Sequence, residues 1–438
     1  MPKLSPALLA AAPQLPGLLE QLRAQAQALH APPEAQAAAL ERGDTFTLLE
    51  WLIPQRGSLP AQPVRELIAT AEAILRLRTL LHPALQERGE LVPVVFGTGG
   101  HRGEIAWGLT FAHVQAILQA LLELIAGLSP AERLRHFGGE TVQAVQQRGF
   151  LIGHDNRLLN PEFSFYAAGL LTRAGYRVGY GGRTATPELS LVVPRQGWAG
   201  SINFTPSHNP FRYGGIKLSP ADGGLAGEDL TDVIEQRANA LLGAQVPGQW
   251  PKVAELEQQV RQEAQRVPRV DVHGPYLAGL EDNPVARLGE LVTTLQALPP
   301  QRALRWVVDP TWGAAVPVYG LLQQRLGKDI LTLIHTEDDP YFGGQTTEPN
   351  EHTLEDALAL LRSQHAPLGG AIRNDPDSDR GLVGDTAGPM KMNRFAVLVM
   401  RYLLDLGWDG GLVTTLPTSH FGPDFARKRG KAVYITKT

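Results

Sequence analysis

From Gly89 onward, short apolar runs alternate with amphipathic stretches of helical period, and this alternation restricts the chain to an α/β layering with a mixed or mostly parallel sheet. Phe150–Gly153, Tyr176–Gly181, Ala199–Phe204 and Gly215–Leu218 read as strands. Pro161–Ala174, Pro187–Val193 and Asp229–Leu242 read as helices. The pattern restarts near residue 275, with strands at Leu304–Val308, Ile330–Ile334 and Ala371–Arg373 and helices at Val316–Leu326 and Leu354–Ser363. A third restart follows Gly388: helix Arg394–Leu404, strand Leu412–Leu416, helix Phe421–Arg429, strand Ala432–Thr436. Residues 1–90 differ: rich in Ala, Leu, Gln and Glu, with Leu67, Ala71, Ile74 and Leu75 at helical spacing, they read as a helical extension packed on the main body. The expected units are therefore 1–90, 91–268, 269–388 and 389–438, with the first α/β boundary in Val267–Pro275.

The bulk chemistry is that of an ordinary globular protein, which fits a metabolite enzyme and many other proteins alike. A chain of 438 residues with net charge −4 has length for several cores and no basic footprint for nucleic acid. It has no cysteine, which excludes disulfides, thiolate metal sites and cysteine nucleophiles. No stretch reaches the ~18 apolar residues of a membrane span. The N-terminal run Ala7–Ala12, bounded by Pro6 and Pro13, is shorter than a signal-peptide core, so a cytoplasmic location is expected.

Three motifs carry chemistry. Asp375-Pro376-Asp377-Ser378-Asp379-Arg380 places three alternating carboxylates directly after a predicted strand. Buried together they repel, and hard oxygen ligands suit Mg²⁺, Ca²⁺ or Mn²⁺; a solvated acidic turn is the alternative. An EF-hand loop counted from Asp375 fails, because Arg380 and Thr386 stand where glycine and glutamate belong. Thr205-Pro206-Ser207-His208-Asn209-Pro210 also follows a strand and sets Ser207 beside an imidazole, as a nucleophilic hydroxyl or an ordinary capping serine. Phe96-Gly97-Thr98-Gly99-Gly100-His101-Arg102-Gly103 reads either as a backbone cradle for an anion, with Arg102 holding phosphate, or as a flexible turn. Asp155 and Arg157 end the first strand, where open α/β sheets place ligands, and Lys217 follows the serine motif.

Taken together and in this order, the motifs resemble the α-D-phosphohexomutase superfamily, over roughly residues 90–438. The form FGT-x-G-HRG and the DPD-x-DR loop look like its bacterial phosphoglucomutase branch, although Gly381 stands where relatives often carry His or Tyr. The resemblance implies tandem three-layer α/β/α domains with mixed sheets. It implies Ser207 as phosphoryl carrier, Mg²⁺ held by Asp375, Asp377, Asp379 and the Ser207 phosphate, and charge neutralisation by Arg380. His208 and Lys217 become acid/base candidates, Arg102 a catalytic and substrate contact, and Thr98, Gly99, His101, Asp155, Arg157 and Asn209 substrate contacts. The implied reaction interconverts glucose 1-phosphate and glucose 6-phosphate through glucose 1,6-bisphosphate, which also acts as activator. Phosphomannomutase, phosphoglucosamine mutase and a catalytically incompetent sugar-phosphate-binding fragment are the alternatives. Members resemble one another in having four domains, and no glutamate-rich sugar-selecting loop follows Gly388. The sequence is thus expected to be C-terminally truncated, with residues 389–438 a partial third domain and the fourth absent.

Overall fold

Neighbouring residues of the strand Phe150–His154 bury into different cores: Phe150 and Ile152 into one, Leu151 into another. This period of two demands cover on both faces of a sheet. The computed structural model describes residues 6–41, 43–82, 91–97, 99–245, 249–299, 302–366 and 368–437. Its first sheet comprises β1 (Phe96–Gly97), β2 (Gly100–Glu104), β3 (Phe150–His154), β4 (Val178–Arg183), β5 (Gly200–Phe204) and β6 (Tyr213–Ser219), in spatial order β1-β2-β6-β5-β3-β4. β3 runs parallel to β4 and β5, and the remaining pairs are antiparallel.

The second sheet comprises β7 (Leu304–Asp309), β8 (Leu331–Leu333), β9 (Leu368–Asn374), β10 (Gly381–Asp385) and β11 (Gly388–Pro389), in order β11-β10-β9-β7-β8. The same alternation holds: Val307 packs with Leu354, Leu358 and Leu361, whereas Val308 packs with Leu326 and Leu331 on the opposite face. The architecture is therefore tandem three-layer α/β/α with mixed sheets, as expected. β12 (Leu412–Thr415) and β13 (Val433–Thr436) form a separate parallel pair, on which Val413, Leu416 and Tyr434 are exposed.

The N-terminal residues form α1 (Pro6–Ala11), α2 (Leu15–Ala28), α3 (Pro33–Glu41), α4 (Phe46–Leu52) and α5 (Ala61–Leu80). α2 buries Leu15, Leu19, Leu22 and Ala26, one stripe at helical period. That stripe joins the core under the first sheet, so these helices share a continuous core with it.

Two stretches singled out in the sequence are held closely by their neighbours. Gly100–Glu104, within the stretch expected to cradle an anion, is a strand. Its glycines permit close backbone approach: a Cβ on Gly103 would lie 2.3 Å from the Gly108 backbone. The segment Val267–Pro275, where the boundary is expected, is tied to the first unit. Tyr180 donates to Pro268 O at 2.8 Å and accepts from Val270 N at 3.0 Å, and Val272 is buried with Leu151 and Trp198. The helices Phe111–Gly127, Pro130–Phe137, Val142–Arg148 and Val253–Arg266 are additional to those read from the sequence.

Near the C-terminal ends of β9 and β7, the cross-strand partners Arg373 and Asp309 form a fully buried ion pair. Arg373 also donates to Thr353 O and Thr346 O, each at 3.2 Å, which ties the segment 345–353 to the sheet. Arg373→Met leaves the Asp309 carboxylate buried with fewer partners, and should cost about 3 kcal/mol of unfolding free energy in urea titration.

Candidate active site

β3 and β5 are parallel neighbours, so the loops at their C-terminal ends open on one edge of the sheet, and both lead into the site. After β5 the chain turns through Thr205–Pro210, with Ser207 in the left-handed region at φ 59°. A non-glycine residue in that conformation needs outside support. Arg157, from the loop after β3, supplies it. All five of its N–H donors are used: Nε to Asp155 Oδ2 (3.1 Å), Nη1 to the carbonyls of Pro210 (2.6 Å) and Tyr213 (3.2 Å), Nη2 to those of Ser207 (2.7 Å) and Asn209 (2.5 Å). Asp155 completes the frame by accepting from Thr205 Oγ1 at 2.7 Å and Asn160 Nδ2 at 2.7 Å.

The carboxylate loop follows β9. It is seated by Gly313, where a Cβ would lie 2.4 Å from Pro376 O, and by the bond from Ala314 N to Pro376 O at 2.6 Å. The two sheet edges face each other. Thr186, just after β4, donates its N–H to Asp377 O (2.9 Å) and its hydroxyl to Asp377 Oδ2 (2.7 Å). Arg183 spans the junction to the carbonyls of Trp312 and Gly313, both at 2.8 Å. Ser207 Oγ then donates to Asp375 Oδ2 at 2.9 Å.

Asp375, Asp377 and Asp379 each offer an oxygen within 4.8 Å of the others. Lys217, on β6, reaches Asp377 Oδ2 at 2.6 Å and Asp379 Oδ2 at 2.7 Å. Burial alone lowers the ammonium's pKa, but the two carboxylates outweigh it and raise the pKa, so Lys217 stays charged. Burial would raise Asp377, yet Lys217 and the Thr186 bond hold it below the usual carboxylate range. Asp375 has no such cation; burial, then the charges of Asp377 and Asp379, push it up to about 8. His208 Nδ1 lies 3.4 Å from Ser207 Oγ and Nε2 lies 3.6 Å from Glu348 Oε2. Burial and the nearby Arg380 charge lower its pKa, which favours neutral imidazole. Arg380 is exposed and pairs with Glu348 at 3.1 Å.

The structure therefore brings together Ser207, His208, Lys217, Asp375, Asp377, Asp379 and Arg380. Arg102 lies beside them, donating from Nε to Pro206 O at 3.2 Å. Asn209 sits on the serine loop with its carbonyl taken by Arg157 and by Thr347 Oγ1 at 3.1 Å. Three expected substrate contacts are placed otherwise. Asp155 and Arg157 are buried and saturated by the protein, so they hold the loop. His101 is buried, accepts from Val95 N at 3.2 Å, donates to Gly108 O at 2.8 Å and stacks on His113, so it faces the core. Gly99 turns at φ 77°, where a Cβ would lie 2.6 Å from Leu225 Cδ1, and Thr98 lies outside the described residues. Sequence reasoning missed Thr347, whose hydroxyl also donates to His208 O, and Glu348; no local pattern marks either.

Serine and carboxylate loops thus face each other from the C-terminal edges of two tandem α/β/α units. Residues 93–242 match the family Phosphoglucomutase/phosphomannomutase, alpha/beta/alpha domain I. A phosphoglucomutase of Komagataeibacter xylinus is 28% identical over 71% of this chain and 54% of its own length. A Methanothermobacter thermautotrophicus protein assigned as a phosphoglucosamine mutase is 25% identical over 78% of this chain and 65% of its own. The crystal structure of a Thermus thermophilus protein assigned as a phosphomannomutase superposes with a TM-score of 0.62 at 24% identity, covering 80% of this chain and 70% of that one. Over residues 93–242 the chain is thus similar to domain I of the phosphoglucomutase/phosphomannomutase family, and over most of its length it is similar to these mutases. It spans between about half and two thirds of the length of these curated relatives. No described helix is long and apolar enough to cross a membrane.

Replacing Arg157 by Lys keeps the charge but cannot satisfy Asp155 and four carbonyls at once. It should cost about 2–4 kcal/mol in chemical denaturation and raise amide exchange across 205–210.

Proposed function

We propose that this chain carries the phosphoserine chemistry of a sugar-phosphate mutase, interconverting glucose 1-phosphate and glucose 6-phosphate through glucose 1,6-bisphosphate. The observation that carries the reading is the Ser207 hydroxyl, strained on its loop, buried, and 2.9 Å from Asp375 in a cluster of three carboxylates. Asp375, Asp377 and Asp379 fit Mg²⁺: their oxygens converge, and Asp377 Oδ1 is buried with no hydrogen-bond partner in the protein. When bound there, together with a Ser207 phosphate, the ion would neutralise charge on the moving phosphoryl group.

The chain's own residues supply the rest. Arg157 and Asp155 hold the Ser207 loop so that the phosphoryl group and the incoming sugar hydroxyl can align. As the bond from phosphorus to Ser207 Oγ breaks, a bond to the sugar oxygen forms, and the hydroxyl proton passes to a base. His208, neutral and 3.4 Å from Oγ, suits that role better than Lys217, which is charged and bound to two carboxylates. Arg380 and Arg102 balance phosphate charge from either side. In the second half-reaction the bisphosphate turns round and returns its other phosphate to Ser207. Glucose is preferred over mannose or glucosamine on the HRG and DPD-x-DR forms of the motifs; relatives named for each sugar lie at similar identity.

A coupled assay of glucose 6-phosphate formation from glucose 1-phosphate, beside mannose and glucosamine phosphates, tests the substrate. Ser207→Ala should abolish turnover with the fold retained, and intact mass should show the loss of one phosphate. Turnover persisting in that variant would remove Ser207 as the carrier. A second expectation concerns pH. With its pKa at about 8, Asp375 holds a proton at pH 7 that the cation must displace. Mg²⁺ binding at pH 7 should therefore release about one proton, and affinity should rise with pH and level off above about 8. Isothermal titration in buffers of different ionisation enthalpy measures both, and Asp375→Asn should remove the proton release.

A further inference from the structure

The segment 339–347 lies between the N-terminal helices and the serine loop, and both sides hold it by named bonds. On the loop side, Thr347 donates to the carbonyls of His208 and Asn209, and the Phe342 ring lies 5.0 Å beneath the Arg157 guanidinium. On the helical side, Arg56, in the turn after α4, pairs with Asp339 at 2.6 Å, and Glu72 of α5 accepts from the Tyr341 hydroxyl at 2.6 Å. Asp339 is buried and also accepts from Tyr341 N and Gly343 N, so the Arg56 pair fixes the turn that aims Phe342. Gly344, at φ 73°, packs where a Cβ would meet Pro54 at 3.0 Å.

A second attachment reaches the other flank of the serine loop. Arg212, five residues after Ser207, bonds to Asp44 at 2.9 Å and to Glu50 at 3.2 Å, both in the N-terminal helical region. Phe211 beside it packs against Phe46 of α4 and edge-on against Tyr341 at 5.4 Å. Ser207 needs this support because its positive φ has no glycine to relax it.

We infer that the N-terminal helices are a positioning element for the Ser207 loop, with Arg56 and Glu72 acting through Asp339, Tyr341 and Phe342 on Arg157 and the loop carbonyls. The inference rests on the mutase reading only in naming what is positioned, a phosphoryl carrier; the bracing itself is read from the contacts. The helices thus do more than cover a sheet. They connect the first sheet, which carries the serine, to a loop of the second unit, which carries the carboxylates.

The test compares full-length protein with Arg56→Ala, Tyr341→Phe, their double variant and Arg56→Lys. In the double variant, amide exchange across 206–212 should accelerate by about tenfold or more while β3 stays protected. Where mutase activity is measured, kcat should fall about tenfold to a hundredfold with KM within about threefold, and Arg56→Lys should recover most of it. Unchanged exchange at 206–212, or acceleration spread evenly over β3, would overturn the inference. If Arg56→Ala does not fold, Tyr341→Phe, which removes one hydroxyl and leaves the ring, decides by the same exchange readout. If unsubstituted protein takes up no phosphate from glucose 1,6-bisphosphate, the mutase reading fails, and the exchange result still stands on its own.

Discussion

One guanidinium organises this molecule's centre. Arg157 is buried, and a buried cation is tolerable only when its charge is paired and its donors are filled. Asp155 pairs it, and four carbonyls of the chain from Ser207 to Tyr213 fill the rest. The requirement runs both ways. The loop must adopt the one path that satisfies the guanidinium, and that path holds Ser207 at positive φ with its hydroxyl toward the second sheet. Lysine could not do this, because one ammonium offers three donors from a single point.

The opposing edge is shaped by repulsion. Three carboxylates within 4.8 Å cannot all stay ionised without a counter-charge, and Lys217 supplies only one. Burial, and then the charges of Asp377 and Asp379, leave Asp375, which makes no bond to that ammonium, a carboxyl that resists ionisation until about pH 8. The cluster is thus incomplete in charge, and it faces the serine. Both halves of the centre are built as polar networks whose members depend on distant parts of the chain, so their strength is collective.

The Arg56 and Glu72 contacts extend this logic outward. A loop strained at one residue and saturated by another arginine leaves little slack, and the surrounding segments close on it from the N-terminal helices and from residues 339–347. Sequence separation between these partners is large: Arg56 to Asp339 spans 283 positions. No local pattern announces such a pair.

What the sequence determined follows from local physics. Alternation of apolar residues with helical stretches set the α/β layering and located most of the long strands and helices, because period two and period 3.6 are properties of neighbouring residues. Three carboxylates in five positions and a serine between two prolines were visible as chemistry for the same reason. The stretch around Gly100 stayed open in the sequence, since a glycine that admits an anion and one that admits a neighbouring strand look alike until the Gly108 backbone is in place. His101, Asp155 and Arg157 are the same kind of case: polar residues beside a glycine turn or at a strand end can face a ligand or the core. Only tertiary structure decided that each is consumed by the protein, because burial and the satisfaction of hydrogen bonds are set by which distant segments arrive at the same place.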